Sequence, residues 1–281
     1  MFHVEHAKYF VMRIKDYFLT QEEFALKETE IKGVLKTVPS PVFSDISRYY
    51  NSDKYLSHKS NNSVFSKIYS FVRKTNLHSK TKLITKYSGV KKNVLDYGSG
   101  GGHFLKALEK KGYNAFGFEP LFYTPTKNVF NNIESLKGVG ENFFSVITMW
   151  HSLEHVNSYN KTLALLQRLL KPDGILIIAC PNHLSYDSIH YGKYWAGYDV
   201  PRHLWHFSKK GLITVLDSLN FSLINTKPVF FDAYYVSMLS EKYKKSKLWF
   251  FKGFFFGLLS NAYSLVSKNP SSNVFIFKNK K

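Results

Sequence analysis

The residues with the clearest chemical potential form a glycine-rich turn headed by an acid. After a short apolar segment the chain reads Asp96-Tyr97-Gly98-Ser99-Gly100-Gly101-Gly102. Such glycines let the backbone approach a ligand closely, and the turn presents N–H groups at the start of a helix. Glu119 ends the next apolar segment, where an acid can accept hydrogen bonds from two ribose hydroxyls. Together they predict a site for a ribose-bearing cofactor, the alternative being a helix-capping turn with an incidental acid.

The order of the glycines separates two cofactor classes. The dinucleotide fingerprint is G-x-G-x-x-G, but the sixth position counted from Gly98 is His103. This mismatch disfavours an oxidoreductase with a nucleotide cofactor. The pattern present is D-x-G-x-G-x-G, led by Asp96. A negative charge there repels a pyrophosphate and attracts an ammonium group, which favours S-adenosylmethionine.

Alternating strands and helices must position these residues. Strands are predicted at 94–96, 114–118, 143–149, 175–179 and 273–278, and helices at 103–111, 159–170 and 208–219. This alternation predicts an α/β fold, doubly wound around a mostly parallel sheet with helices on both faces. Right-handed crossovers place the carboxyl ends of the parallel strands along one edge, where ligands bind. The glycine-rich turn and Glu119 both follow strands, so we expect them to meet at that edge.

Residues from about 93 to 225 resemble the class I S-adenosylmethionine-dependent methyltransferases of methyltransferase domain family 23. Besides the turn, the motifs that carry the resemblance are Gly117-Phe118-Glu119-Pro120, Trp150-His151-Ser152-Leu153-Glu154-His155-Val156, Leu170-Lys171-Pro172-Asp173-Gly174, Cys180-Pro181-Asn182 and Asp199-Val200-Pro201-Arg202-His203-Leu204. The resemblance implies a Rossmann-like sheet of seven strands. It also implies S-adenosylmethionine as cofactor and S-adenosylhomocysteine as its product.

The resemblance also assigns cofactor-binding roles along the chain. These roles fall on Asp96, Tyr97, Gly98, Ser99, Gly100, Gly102, Glu119, Pro120, Met149, Trp150 and His151. The residues after the fourth strand of the fold would flank the sulfonium and the adenine. An aromatic face can hold a sulfonium by cation–π attraction, and Trp150, Tyr97 and Tyr198 are available for this.

Histidines supply the candidates for proton transfer. A general base is needed only if the methyl acceptor is a hydroxyl or a protonated amine, and histidine titrates near neutrality. His151, His155 and His203 are the catalytic candidates, each with a structural hydrogen-bonding role as the alternative. Since His151, Glu154 and His155 do not form an H-E-x-x-H pattern and show no third ligand, we expect no metal. Substrate contacts are predicted at Tyr198, Arg202 and His203.

The chain divides into an N-terminal accessory or cap region, residues 1–90, and a methyltransferase domain, residues 91–281. Within the domain we expect an inserted lid at about 183–207 and an apolar helical insertion at about 233–267. The lid is rich in aromatic residues, which either cover an organic substrate or pack as an ordinary insertion. Arg202 either binds a carboxylate or phosphate of the substrate or pairs with Asp199.

Charge and composition limit the kinds of partner that this protein can be expected to bind. Thirty-nine Lys and Arg against 20 Asp and Glu give a net charge of +19, and residues 242–281 hold nine lysines and no acid. The apolar stretch 248–259 lies among these lysines. It predicts either a buried helix, which we favour, or peripheral contact of residues 242–268 with an anionic membrane. The single cysteine excludes a disulfide framework, and no apolar run reaches 18 residues, so we expect a cytoplasmic protein with no transmembrane helix.

These observations predict methyl transfer by in-line displacement to a small-molecule or a glycan- or lipid-linked hydroxyl. The N/D-P-P-Y motif of enzymes that methylate base amino groups is absent, so a nucleic-acid acceptor is not expected; Trp150-His151-Ser152-Leu153 stands in its place. One alternative is a polyanion- or membrane-binding protein on a catalytically retired methyltransferase fold. The other is an oxidoreductase with a nucleotide cofactor, which the spacing of the glycines disfavours.

Overall fold

The computed structural model describes residues 10–50, 64–89, 92–121 and 128–281. Its strands are β1 (Phe10–Lys15), β2 (Glu23–Glu28), β3 (Val34–Val38), β4 (Asn93–Tyr97), β5 (Asn114–Phe118), β6 (Val129–Phe130), β7 (Phe144–Trp150), β8 (Leu170–Pro181), β9 (Trp205–Phe207), β10 (Phe221–Pro228) and β11 (Ser272–Asn279). Its α-helices are α1 (Val64–Ser88), α2 (His103–Glu109), α3 (Ile133–Lys137), α4 (Tyr159–Leu169), α5 (Tyr186–Tyr191), α6 (Lys209–Ser218), α7 (Phe230–Tyr243) and α8 (Trp249–Ser267).

The larger sheet has seven strands in the order β10-β11-β8-β7-β4-β5-β6. The pairs from β8 through β7, β4 and β5 to β6 are parallel, and β11 runs antiparallel between β8 and β10. This confirms the predicted Rossmann-like, mostly parallel sheet. The strand order reverses at the β4–β7 pair, because β5 and β6 follow on one side of β4 and β8 follows on the other. In doubly wound sheets this switch point is where a crevice opens for a ligand.

Successive residues of the central strands point to opposite faces of the sheet, so both faces are apolar. On β4, Leu95 joins a core cluster with α4 and α6, represented by Leu163 and Leu212. Its neighbour Val94 joins a second cluster with α1 and α2, represented by Ile84. Helices therefore cover both faces, as the alternation predicts.

A second sheet, of four antiparallel strands in the order β1-β2-β3-β9, joins the N-terminal region to the predicted lid. Its β9 lies in the segment before α6, with Leu35 opposite His206. A third core cluster packs Phe24 and Leu26 of this sheet against Trp195 and other aromatic residues of the lid. Residues 191–200 of the predicted lid therefore contribute aromatic side chains to a core of the protein.

The predicted accessory region has two structural parts with different neighbours. Strands β1 to β3 belong to the four-stranded sheet, whereas α1 packs on the seven-stranded sheet through Leu83 and Ile84. The described residues before 90 therefore pack in two different places, on the four-stranded sheet and on the seven-stranded sheet. Residues 1–9 and 51–63 of the predicted accessory region lie outside the described residues.

The predicted helical insertion forms a hairpin of α7 and α8. These helices approach each other closely at two glycines. A Cβ added at Gly253 would lie only 2.4 Å from the Cα of Met238, and one added at Gly257 would lie 2.8 Å from the Cα of Tyr234. Only small side chains fit this seam. Among the described helices, α8 included, none combines the length and the apolar character needed to cross a membrane.

Candidate cofactor and acceptor site

The turn between β4 and α2 takes the conformation that its glycines predict. Gly98, Gly100 and Gly102 have φ of +84°, +49° and +69°, a region that other residues rarely adopt. A Cβ on Gly98 would lie 2.7 Å from the Cβ of Ser152, whereas Gly100 and Gly102 have open space where a side chain would be. The turn thus leaves its backbone free to approach a ligand.

Asp96 lies at the head of the turn and is almost fully buried. Thr148 on the neighbouring strand β7 donates a hydrogen bond of 2.7 Å to its Oδ1. Burial raises the pKa of Asp96 to about 6, against the opposing effects of Lys80 and Thr148. A buried carboxylate whose charge is only partly compensated favours a cationic ligand.

Glu119 follows β5, beside the glycine-rich turn. Its Oε2 accepts a hydrogen bond of 2.8 Å from the backbone N–H of Gly100, and its Oε1 accepts one of 3.0 Å from Leu121. The two predicted cofactor motifs therefore meet at the carboxyl ends of adjacent strands. Carboxylate oxygens accept more than one hydrogen bond each, so this acid can also receive the hydroxyls of a ribose.

Trp150 ends β7 next to the crevice, and its face already holds a cation. The Nζ of Lys80 lies 4.5 Å from the indole centroid and 5.6 Å from the ring centroid of Phe104. Burial lowers the pKa of Lys80, and the charges of Asp96 and Asp232 oppose that shift. The indole Nε1 is buried with no hydrogen-bond partner among the described residues. Sequence reasoning missed Lys80, which lies in a long lysine-rich helix with no local motif.

Other predicted cofactor residues serve mainly the core. The ring of Tyr97 stacks on Phe118 at 4.6 Å, and Met149 is fully buried among apolar side chains. Both side chains therefore pack in the core between the sheet and the helices that cover it. Pro120 is exposed, and the buried Ser99 Oγ has no hydrogen-bond partner among the described residues.

His151 lies between two carboxylates. Its Nε2 is 3.2 Å from Oδ2 of Asp232, and its Nδ1 is 3.4 Å from Oε1 of Glu154. Burial opposes the charged ring, but the interactions with the two acids outweigh it and raise the pKa of His151 to about 10. An imidazolium at neutral pH has no lone pair to accept a proton, so in this protonation state His151 would not act as a general base.

Asp232 is a further site residue that the sequence did not reveal. It lies in the first turn of α7, far along the chain from His151, and reaches the crevice because the α7–α8 hairpin folds back onto the sheet. His151 itself has a positive φ of +53°, which turns its ring toward these acids. Neither feature has a sequence signal.

His155 and His203, two of the catalytic candidates, lie next to each other in the structure. Their ring centroids are 4.6 Å apart. Nδ1 of His155 lies 2.9 Å from the carbonyl oxygen of Arg202, and Nδ1 of His203 lies 3.0 Å from that of Gly197. Burial lowers the pKa of His203 to about 4, so this ring is neutral near pH 7.

The side chain of Arg202 is committed within the fold. Its Nη2 lies 2.8 Å from Asp16 and 2.7 Å from Asp199, and its Nη1 donates a hydrogen bond of 3.0 Å to the carbonyl oxygen of Tyr49. Only 1% of the side chain is exposed. Of the two roles that the sequence left open, the structure therefore shows the pair with Asp199.

Tyr198 is likewise a packing residue in this structure. It is buried against the indole of Trp195 and the ring of His206, and Ser188 donates a hydrogen bond of 3.3 Å to its hydroxyl oxygen. These neighbours belong to the lid. The structure therefore does not bring Tyr198 to the face of Trp150 where a sulfonium would lie.

Comparison with known proteins identifies the family. Residues 70–226, more than half of the chain, match the sequence profile of a methyltransferase domain. The chain belongs to this methyltransferase domain family. The match begins within α1, in agreement with the packing of that helix on the seven-stranded sheet.

Solved structures of similar fold are methyltransferases and related enzymes. The 1,6-didemethyltoxoflavin-N1-methyltransferase of Burkholderia thailandensis, solved with S-adenosylhomocysteine, is 14% identical at a TM-score of 0.50 over 92% of this chain and 96% of that one. A mycolic acid cyclopropane synthase, also solved with S-adenosylhomocysteine, is 16% identical at 0.51 over 85% and 98%. These similarities support the assignment of a methyltransferase fold to this chain. No curated protein matches the chain in sequence.

Proposed function

We propose that this methyltransferase transfers the methyl group of S-adenosylmethionine to a small-molecule or lipid-linked hydroxyl at an anionic membrane surface. The methyl-transfer part of this proposal rests on one observation. Asp96, Glu119 and Trp150 lie around the glycine-rich turn at the switch point of the sheet. The membrane part rests on the outward face of α8.

The residues of the crevice fit each part of S-adenosylmethionine. Glu119 is placed to accept the ribose hydroxyls, and the open backbone at Gly100 and Gly102 suits close approach of the cofactor. Asp96 suits the ammonium of the methionine group, and Lys80 suits its carboxylate. The face of Trp150 that now holds the Lys80 ammonium would suit the sulfonium.

When bound, S-adenosylmethionine supplies an activated methyl group, so the protein needs chiefly to align the acceptor and exclude water. His151, held as an imidazolium by Asp232 and Glu154, can donate a hydrogen bond but not take a proton. Both of its N–H groups face these carboxylates, so it contributes a positive charge beside the crevice. With their Nδ1 atoms facing backbone carbonyls, His155 and His203 each have a lone pair on Nε2, so they are the candidates for a base as long as no metal ion occupies those nitrogens.

The outward face of α8 supports the location of the acceptor. The helix buries its small side chains, Gly253, Gly257, Ser260, Asn261 and Ser264. It exposes its large ones, Phe250, Phe251, Phe254, Phe255 and Leu258, with Phe251 72% exposed. The favoured expectation of a buried helix is therefore wrong for its aromatic face. Exposed aromatic side chains flanked by lysines without acids are typical of a surface that binds anionic lipid.

Calorimetric titration tests the cofactor site. The protein is titrated with S-adenosylmethionine, S-adenosylhomocysteine and NAD, in the wild type and in Asp96→Asn and Glu119→Gln. We expect saturable binding of the first two ligands only, weakened about 10- to 100-fold by either substitution, since each removes hydrogen bonds to a charged group. Asp217→Asn, a change at an exposed acid, is the matched control and should bind normally.

Two outcomes of this titration would contradict the proposal. Binding of NAD in place of the sulfur-containing ligands would favour the oxidoreductase. No binding of any of the three would favour a catalytically retired fold that binds polyanions or membranes.

Vesicle flotation tests the membrane part independently. We expect the protein to float with vesicles that contain phosphatidylglycerol and to stay behind with pure phosphatidylcholine. Phe251→Ser combined with Phe255→Ser should abolish flotation and leave cofactor binding unchanged. Val42→Ser, which removes an exposed apolar side chain elsewhere, is the control. Equal flotation of the double variant would show that α8 is not the contact surface.

A further inference from the structure

Three side chains with metal-binding chemistry meet beside the crevice. One ligand atom from each of Glu154, His155 and His203 lies within 4.8 Å of the other two. The first two belong to the turn after β7, and His203 comes from the lid. The backbone N–H of Leu204 donates a hydrogen bond of 2.8 Å to the carbonyl oxygen of Glu154, so the two segments are fixed to each other.

Backbone carbonyls set the tautomers of both histidines. A carbonyl oxygen can only accept a hydrogen bond, so the Nδ1 atoms that face Arg202 and Gly197 carry the protons. The hydroxyl oxygen of Tyr50, 3.0 Å from Nδ1 of His155, can accept from the same N–H group. In the neutral ring the lone pair is then on Nε2. An imidazole whose Nδ1–H donates to a carbonyl while Nε2 keeps its lone pair is the usual arrangement of a metal-binding histidine.

Glu154 is the unexplained member of the cluster. Its side chain is 1% exposed, yet neither carboxylate oxygen has a hydrogen-bond partner among the described residues. His151 approaches Oε1 to 3.4 Å, which is an ion-pair distance but not a well-formed hydrogen bond. A buried carboxylate without hydrogen bonds is strongly unfavourable, and such groups are normally paired or coordinate a metal.

The surroundings offer space for a small ion. A cavity of about 10 Å³ is lined by Glu154 and His203, but not by His155, together with residues of the lid, including Trp195, Trp205 and His206. This volume is about what one water-sized particle occupies. Two ligand atoms bound tetrahedrally to one ion at about 2.1 Å are about 3.4 Å apart. Ligand atoms that lie within 4.8 Å of one another would therefore move closer by up to about 1.4 Å when the ion binds.

We propose that Glu154, His155 and His203 bind one divalent transition-metal ion. Two imidazoles and one carboxylate suit zinc and neighbouring first-row metals better than the hard cations magnesium and calcium. The ion satisfies the charge of Glu154 and connects the turn after β7 to the lid. The sequence-based expectation of no metal considered His151 with Glu154 and His155, whereas the structure supplies His203 as the third ligand.

Metal content and thermal unfolding test this proposal without any methyl acceptor. The full chain, purified without a polyhistidine tag and treated with a chelator, is titrated with Zn²⁺. We expect about one bound Zn²⁺ per chain, a higher unfolding temperature, and no comparable effect of Mg²⁺. Bound Co²⁺ in place of Zn²⁺ should show visible d–d absorption.

Substitutions assign the ligands. Glu154→Gln and His203→Gln should each weaken Zn²⁺ binding at least about 100-fold, since loss of even an outer-shell partner weakens binding 10- to 100-fold. His183→Gln is the matched control, because His183 lines the same cavity but its Nε2 lies 3.1 Å from the carbonyl oxygen of Gly33. Circular dichroism and a cooperative thermal unfolding transition of the metal-free protein confirm that each variant folds.

Three results would overturn the proposal. The first is wild-type protein that takes up no Zn²⁺ or Co²⁺ under these conditions. The second is binding that persists in both ligand variants, which would place the ion at other side chains. The third is equal loss in His183→Gln, which would replace the proposed ligand set. None of these results bears on binding of S-adenosylmethionine, so the proposed function stands or falls separately.

Discussion

Two acids, Asp96 in the crevice and Asp199 in the lid, differ in how fully neighbouring groups compensate their negative charge. Asp96 in the crevice has one hydrogen bond from Thr148, and burial raises its pKa to about 6. Asp199 in the lid accepts two hydrogen bonds from Arg202. Burial alone would raise the pKa of Asp199, but that guanidinium outweighs it and lowers the value.

The difference separates binding from scaffolding. A lid acid whose counter-ion lies within the fold has its interactions completed, and it stabilises the structure at neutral pH. A crevice acid whose charge is only partly compensated gains from a cationic ligand. For an acid near a sequence motif, the presence or absence of a counter-ion within the fold therefore indicates function better than its closeness to the motif.

Breaking the lid ion pair has the largest expected effect. Arg202→Met removes the guanidinium and leaves Asp16 and Asp199 buried without it. We expect the free energy of unfolding to fall by about 3–5 kcal/mol, because removing one partner of a buried pair leaves an uncompensated charge. Urea denaturation measures this change.

The surface pair of Arg168 and Glu141 is the control for this prediction. Its atoms are 2.9 Å apart, but both side chains are at least half exposed. Arg168→Met should therefore lower the free energy of unfolding by no more than about 1 kcal/mol. If Arg202→Met instead unfolds like the wild type and loses only turnover, Arg202 is a substrate residue after all.

A matched pair of glycine substitutions tests the crevice itself. Gly98→Ala and Gly100→Ala both place a side chain at positive φ, which costs about 1 kcal/mol. Only Gly98→Ala also brings a Cβ against Ser152, so we expect it to destabilise the protein by about 2–3 kcal/mol in total. Thermal unfolding compares the two. Equal destabilisation would mean that the turn relaxes away from Ser152.

The pH dependence of cofactor binding gives the smallest effect. The carboxylate form of Asp96 is the one that attracts an ammonium, and its pKa is about 6. We expect the affinity for S-adenosylmethionine to be constant above about pH 7 and to fall nearly tenfold for each pH unit well below 6, a loss of about 1.4 kcal/mol per unit. Calorimetry from pH 5 to 8 measures it.

Asp96→Asn is the control for that profile, because it keeps the side-chain shape but does not titrate. Its binding should be weak and nearly independent of pH over the same range. A slope in this variant equal to that of the wild type would assign the pH dependence to a group other than Asp96.

The local sequence determined the fold and the cofactor crevice. Apolar segments of strand length, such as the one containing Val94 and Leu95, alternate with helical patterns, and that alternation specifies a parallel sheet. Glycines at positive φ and an acid after the next strand lie within one βαβ unit. Their spacing is therefore readable along the chain, because the unit positions its own ends.

The tertiary structure decided everything that depends on contacts between distant segments. The short strands β1 to β3 gave no strong pattern of their own. They form a sheet by pairing with one another, and β9 of the lid extends that sheet by pairing with β3. Asp232 and Lys80 reach the crevice, and Asp16 reaches Arg202, only through packing of separate elements. Whether a histidine is a base, an imidazolium or a metal ligand depends on such neighbours, because pKa and tautomer follow from burial and charge in three dimensions.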